Sequence, residues 1–228
     1  MKIKCVMTTL AAFTVSSIAM GDFTVEDVPS WRGDANTSHF EWQSFAHAGG
    51  SDPMNYAFPN MPTSSAGADS AVLYNFADGA MVSGDGNIYG FGGPLNIHTY
   101  AYTAADAQDA VINISMAGSP MNYEGLYLAW NGADGESGLI ANDGFAMNYM
   151  QEADFGGFPG VFANVSYSFD LSAIEADVRE VGIIFGGFAP HMSLDAVSLD
   201  LRTAAIPAPG VLALLGIAGA ARRRRRRN

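Results

Sequence analysis

After residue 5 the chain contains no cysteine and no lysine. Its single cysteine, Cys5, sits near the N-terminus, so the remainder has neither disulfide nor thiol chemistry. Without lysine, the body cannot run Schiff-base catalysis or build a Walker-type phosphate loop. Basic residues are scarce in general. Of the 11 Lys and Arg, Lys2 and Lys4 lie at one end and six arginines at the other, leaving only Arg32, Arg179 and Arg202 between them. All 23 acidic residues fall in residues 22–203, where three positive charges meet 23 negative ones, a balance of −20. Such a body is soluble and is repelled by nucleic acid and by anionic lipid. Also missing are a G-x-S-x-G elbow, a metal-type histidine spacing and a long amphipathic helical pattern. His39 and His47 stand eight apart, and His98 and His191 stand alone.

The two ends differ from the body. Residues 1–21 begin with Lys2 and Lys4, continue with an apolar stretch to Ile18, and place small residues (Ser17, Ala19, Gly21) where a cleavage site needs them. This is the layout of a secretory signal peptide, which implies export by the secretion machinery. At the far end, Val211 to Ala221 is apolar or Gly throughout, followed by Arg222, Arg223, Arg224, Arg225, Arg226 and Arg227. As a helix the apolar stretch would be about 16 Å long, or about 24 Å counted from Ile206. A bilayer core needs about 30 Å. The segment is therefore short for a permanent span, but long enough to hold in the inner membrane transiently with its arginines on the cytoplasmic side.

The order Pro207-Ala208-Pro209, short apolar helix (210–221), terminal Arg cluster (222–227) resembles a PEP-CTERM sorting signal. The family usually carries Glu at the middle position, where this chain has Ala208. The resemblance implies a Gram-negative host that makes extracellular polysaccharide. It implies as partner a membrane-embedded exosortase-like peptidase that removes the tail and passes the body to the cell surface or matrix. The tail is then an address and carries no chemistry of its own.

Residues 22–203 read as a single all-β domain, and residues 204–228 as the sorting and anchor segment. The runs FEWQSF, AVLYNF, LNIHTYAYT, AVINISM, GLYLAWNG, NVSYSFDL, VREVGIIFGG and MSLDAVSLDL are rich in β-branched and aromatic residues and bounded by turn formers. Asp78–Gly79, Asp85–Gly86, Asn131–Gly132, Asp143–Gly144 and Gly156–Gly157 mark turns. Recurrence every ten to fifteen residues predicts a single β-sandwich or jelly roll. LSAIEADVRE is the best helical segment, expected as one short turn.

Chemistry in the body is sparse, and no catalytic residues are expected. Two Asp/Asn/Gly stretches offer oxygen ligands for calcium, the only cofactor left open: Asp85 with Asn87, and Asp134 with Glu136. Their other reading is ordinary hairpin turns. The tripeptide Arg32-Gly33-Asp34 reads as a chance match to an integrin motif. Trp31, Trp42 and Trp130, with Tyr89, Tyr100, Tyr102 and Tyr127, offer rings on which the apolar faces of sugars could stack; strand aromatics also fill cores. The reading that follows is a non-enzymatic surface or matrix protein with a structural or adhesive role. The alternative is a carbohydrate-binding module that contacts exopolysaccharide through an exposed aromatic row. A secreted hydrolase would need two close carboxylates in a cleft, and 23 acids make any sequence pair uninformative.

Overall fold

Each run read as a strand overlaps a strand in the computed structural model, which describes residues 23, 25–50 and 58–205. The segments read as a signal peptide and, from residue 206, as a sorting tail lie outside the described residues, including Pro207, Ala208, Pro209 and all six terminal arginines. Thirteen strands are described: β1 (Thr37–Trp42), β2 (Ser64–Ala66), β3 (Ser70–Asn75), β4 (Met81–Val82), β5 (Ile88–Tyr89), β6 (Asn96–Tyr102), β7 (Ala107–Gly118), β8 (Tyr127–Gly132), β9 (Ser137–Ala141), β10 (Gly144–Asp154), β11 (Pro159–Asp170), β12 (Val178–Gly186) and β13 (Met192–Thr203). They form two antiparallel sheets that pack as a β-sandwich. The larger runs β10-β11-β7-β13-β1-β2, with β5 also on β13 and β4 on β5; the smaller runs β3-β6-β12-β8-β9.

Period-two alternation places Leu73, Ile97, Leu128, Val181 and Ile183 inward from the smaller sheet. They meet Phe40, Trp42, Ile112, Ile114, Val165, Tyr167, Val197, Leu199 and Leu201 from the larger one. In β13 the inward phase jumps from Leu194 to Val197 because the β7 register slips between Leu194 and Ala196. Asp195 is the extra residue of this bulge. It falls where β5, paired at Ser193 and Leu194, gives way to β1, paired from Val197 onward.

One expectation is corrected. Asn131–Gly132 belongs to β8, and the turn follows at Ala133–Gly135. LSAIEADVRE holds the one short turn expected of it, closed by the Ile174 N–H to Leu171 C=O bond, and its end is the start of β12. Five strands lie outside the runs read as strands: the short β2, β4 and β5, and the longer β9 and β10. β10 is an edge strand exposed along most of its length with a bulge between Met147 and Tyr149, so no apolar face marks it. Among the described residues no helix is long and apolar enough to cross a membrane.

The outer face of the larger sheet is polar yet buried. Asn113, Asn164, Ser166, Ser198 and Asp200 lie beneath a strap formed by residues 25–32. Asn164 Oδ1 accepts from the Val25 N–H (3.1 Å) and Asn113 Oδ1 from the Asp27 N–H (2.9 Å), while Asn113 Nδ2 donates to the Asp27 carbonyl (3.1 Å). The side-chain amides of β7 and β11 therefore serve as the strap's backbone partners, as buried peptide groups require.

Candidate functional site: the outer face of the smaller sheet

No described element packs over the outer face of the smaller sheet, and that face is aromatic. In β6 the inward residues are Ile97, Thr99 and Ala101, so His98, Tyr100 and Tyr102 point outward. Across the β3–β6 ladder Tyr74 stands opposite His98, and Val72 opposite Tyr100. Beyond the end of β3, Phe76 extends the row. Phe76 stacks near-parallel on Tyr74 at 5.6 Å (23°) and meets His98 edge-on at 4.6 Å. Tyr100 lies 6.1 Å from Tyr74 and 6.0 Å from His98. The four rings form one connected cluster, with contacts of the kind that add to area burial.

The neighbouring strand gives the cluster its footing. Gly182 of β12 sits opposite Tyr100, and a Cβ there would meet Tyr100 Cε1 at 2.9 Å. The phenol ring thus rests on bare backbone. Past Gly182 the face continues over Ala129 to Leu139, and one register away over Ile184 to Tyr127. Phe76, Tyr102, Tyr127 and Leu139 are exposed, whereas Tyr74, His98, Tyr100 and Ile184 are half-buried, so the rings lie low on the sheet.

Hydrogen bonding fixes the centre of the row. His98 Nδ1 is 3.0 Å from Tyr100 Oη and Nε2 is 3.1 Å from Asn96 Oδ1. Asn96 Oδ1 only accepts, so a neutral imidazole carrying its proton on Nε2 satisfies both contacts, with Tyr100 donating to Nδ1. Burial lowers the His98 pKa from its ordinary value, which favours this neutral form. Burial, aided by Glu180, raises Tyr100, so its hydroxyl stays protonated. The face offers apolar ring surface, neutral donors and acceptors and the carboxylate of Glu180.

The sequence-derived platform is redistributed. Tyr100, Tyr102 and Tyr127 share this face, and Tyr89 belongs to the other sheet. Trp42, read as a stacking candidate, is fully buried, with Nε1 donating to the Asn60 carbonyl at 2.9 Å. Trp130 points inward from β8, half-buried against the core, over Gly138. Trp31 is half-buried beneath the Arg202 guanidinium, 5.6 Å from its ring centre. None of the three tryptophans joins the aromatic row. Tyr74, Phe76 and His98 were missed; the signal for His98 was the alternation of LNIHTYAYT, which carries three rings on one side, and that for Tyr74 and Phe76 was the alternation of AVLYNF, which sets both on the face opposite Leu73.

The calcium candidates separate. Asp85 is exposed in the β4–β5 turn, while Asn87 is buried and its Nδ2 donates to Asp195. Asp134 and Glu136 are exposed in the β8–β9 turn. Among the described residues no three His, Cys, Asp or Glu side chains converge as a metal-binding group. Arg32 of the Arg-Gly-Asp tripeptide is held by Glu26 and Asp200 and is not presented to a partner.

No family model matches the chain, and no curated protein matches it in sequence. Among solved structures it is similar to a carbohydrate-binding module, TmCBM27, whose structural and thermodynamic study concerns specific mannan recognition. Identity is 20% over 58% of this chain and 74% of that one, with a TM-score of 0.25.

Proposed function

We propose that this chain is an exported surface or matrix protein whose β-sandwich contacts a neutral polysaccharide through the aromatic face of the smaller sheet. The observation that carries this reading is the cluster of Phe76, Tyr74, His98 and Tyr100 on that face. Flat apolar rings with a few fixed polar groups suit the alternating CH and OH faces of a sugar chain. The balance of −20 over residues 22–203 argues against an acidic glycan. The role is binding, without catalysis.

Affinity electrophoresis of the full chain through gels carrying neutral mannan, xylan or glucan tests it. At least one gel should retard the protein, and Tyr74→Ala with Tyr100→Ala should weaken retardation at least tenfold. Gly182→Val, which displaces the Tyr100 ring without removing it, should do the same. If no neutral glycan retards the chain, or if the variants bind as well as the parent, the reading fails.

Export and sorting belong to the same proposal, supported by the leader and by the resemblance of the tail. Intact mass of the protein from its own host should show loss of the residues after about Pro207. Changing all of Arg222 to Arg227 to Ser should leave that tail attached. A mature wild-type protein that keeps the tail would overturn the sorting reading and leave the glycan test untouched.

A further inference from the structure

A second site lies on the other sheet. On the outer face of the larger sheet, further along β7 and β13 than the strap, is a pocket of about 540 Å³. This volume is in the range of small-ligand sites. Its walls are rings: Tyr89 from β5, Phe91 just after it, Phe155 and Phe158 from the β10–β11 turn, and His191 just before β13, with Ser193 beside them. His191 is the hub, with ring centres of Phe158, Tyr89 and Phe91 at 5.6, 5.9 and 6.4 Å.

This hub is held against its own backbone preference. His191 has φ 73°, which is unfavourable for any residue with a Cβ. Its N–H donates to the Gly90 carbonyl (2.7 Å) and its carbonyl accepts from the Ser119 N–H (3.0 Å). Tyr89 Oη bonds Nδ1 at 2.7 Å. Opposite, Gly118 has no room for a side chain, since a Cβ would fall 2.1 Å from the His191 carbonyl oxygen. Strain of this kind persists only where surrounding contacts over-determine it.

The polar groups are few and mostly engaged. Tyr89 Oη is taken by His191, Ser193 Oγ donates to Asp195 and Ser83 Oγ accepts from the Asn87 N–H. A sugar would find few partners for its hydroxyls here, and buried unpaired hydroxyls are costly. Charge excludes anions. Glu152 and Asp154 line the adjoining hollow, which shares Pro159 with this pocket. The three described arginines are each bound to a carboxylate: Arg32 to Glu26 and Asp200, Arg179 to Asp177, Arg202 to Asp109.

A guest that carries positive charge, presents methyl groups and needs no hydrogen bond satisfies all of these conditions. We infer that the pocket binds a quaternary ammonium group of the trimethylammonium type, held on the faces of Tyr89, Phe91, Phe155 and Phe158 within an acidic surround. Ring faces attract such cations. The group could arrive on a free choline-like solute or on a choline lipid headgroup, and the test separates the two.

Titration calorimetry of the full chain with choline chloride is compared with 3,3-dimethyl-1-butanol, in which carbon replaces the charged nitrogen. Choline should bind at least tenfold more tightly than this neutral isostere. Phe91→Ala with Phe158→Ala should lose at least tenfold; both rings are largely exposed, so the fold should keep its thermal midpoint. Binding of free choline without sedimentation on phosphatidylcholine vesicles assigns a solute, and binding to those vesicles but not to phosphatidylglycerol ones assigns the headgroup. Equal affinity for choline and its isostere, no binding of choline in either form, or indifference to the double variant would overturn the inference. The glycan face is on the opposite sheet, so its test stands or falls separately.

Discussion

Arg32→Ala is expected to destabilise the protein by about 3–5 kcal/mol. For a domain of this size that corresponds to a drop of roughly 6–20 °C in thermal midpoint. Arg32 grips Asp200 with a two-point fork, Nε to Oδ1 at 2.7 Å and Nη2 to Oδ2 at 2.6 Å, and reaches Glu26 with Nη2 (2.6 Å) and Nη1 (3.2 Å). Ser198 and His39 complete the network at Glu26 Oε1 (2.6 Å) and Asp200 Oδ1 (3.1 Å). Burial works against the guanidinium charge, but the hydrogen bonds to Glu26 and Asp200 outweigh it and raise its pKa further. Asp200 has no exposed side-chain surface, so truncating Arg32 strands a buried carboxylate. Most of the cost is this desolvated charge, and so Arg32→Met combined with Asp200→Leu should recover much of it. Urea unfolding of the three proteins decides the matter. A loss under 1 kcal/mol for Arg32→Ala would mean that the strap is not fixed through this pair.

The second large effect is a pH dependence centred on Asp195. Burial pushes this carboxyl up to about 7 from an ordinary 3.8, although the Ser193 hydroxyl bond acts in the opposite direction. Between those values the folded state holds a proton that the unfolded chain has released. The stabilisation is complete below about pH 4, declines as pH rises towards 7 and is gone above it, a change of about 4 kcal/mol. The surroundings fit a protonated acid. Asn87 Nδ2 donates to Asp195 Oδ1 at 2.8 Å, while Asn87 Oδ1 is buried without a partner, and a proton on the carboxyl is the donor it lacks. Asp195→Asn should flatten this component, so that the variant gains on the parent steadily from pH 4 to pH 8. Unfolding midpoints across that range measure it; parallel curves for the two proteins would refute the assignment.

Much of the sandwich was legible because its buried strands obey simple patterns. Val181, Ile183 and Phe185 alternate as a half-buried strand should, and AVINISM carries Ile112, Ile114 and Met116 at the same period. The edge strands β9 and β10 were not legible, since neither buries a face. The bulge at Asp195 broke the period of β13, and a single chain gives no warning of an inserted residue. The aromatic row was partly legible. Tyr100 and Tyr102 were weighed with the tryptophans, but sequence says nothing about which rings share a face once strands come from Tyr74, Tyr100 and Tyr127. The preference for tryptophan failed because the largest side chains are also the best core fillers, as Trp42 shows with no exposed surface. The ring pocket combines residues 83 to 193, a juxtaposition made only by folding.

The position of β13 has a mechanical meaning. It lies inside the larger sheet, clamped along its length by β7 on one side and by β1 and β5 on the other. Interstrand hydrogen bonds in antiparallel ladders run perpendicular to the strands. Tension applied through the segment after Thr203 therefore loads both ladders in shear, so many bonds must fail together and the strand cannot peel away one pair at a time. A body tethered by its C-terminal end would meet fluid drag with its most strongly braced element.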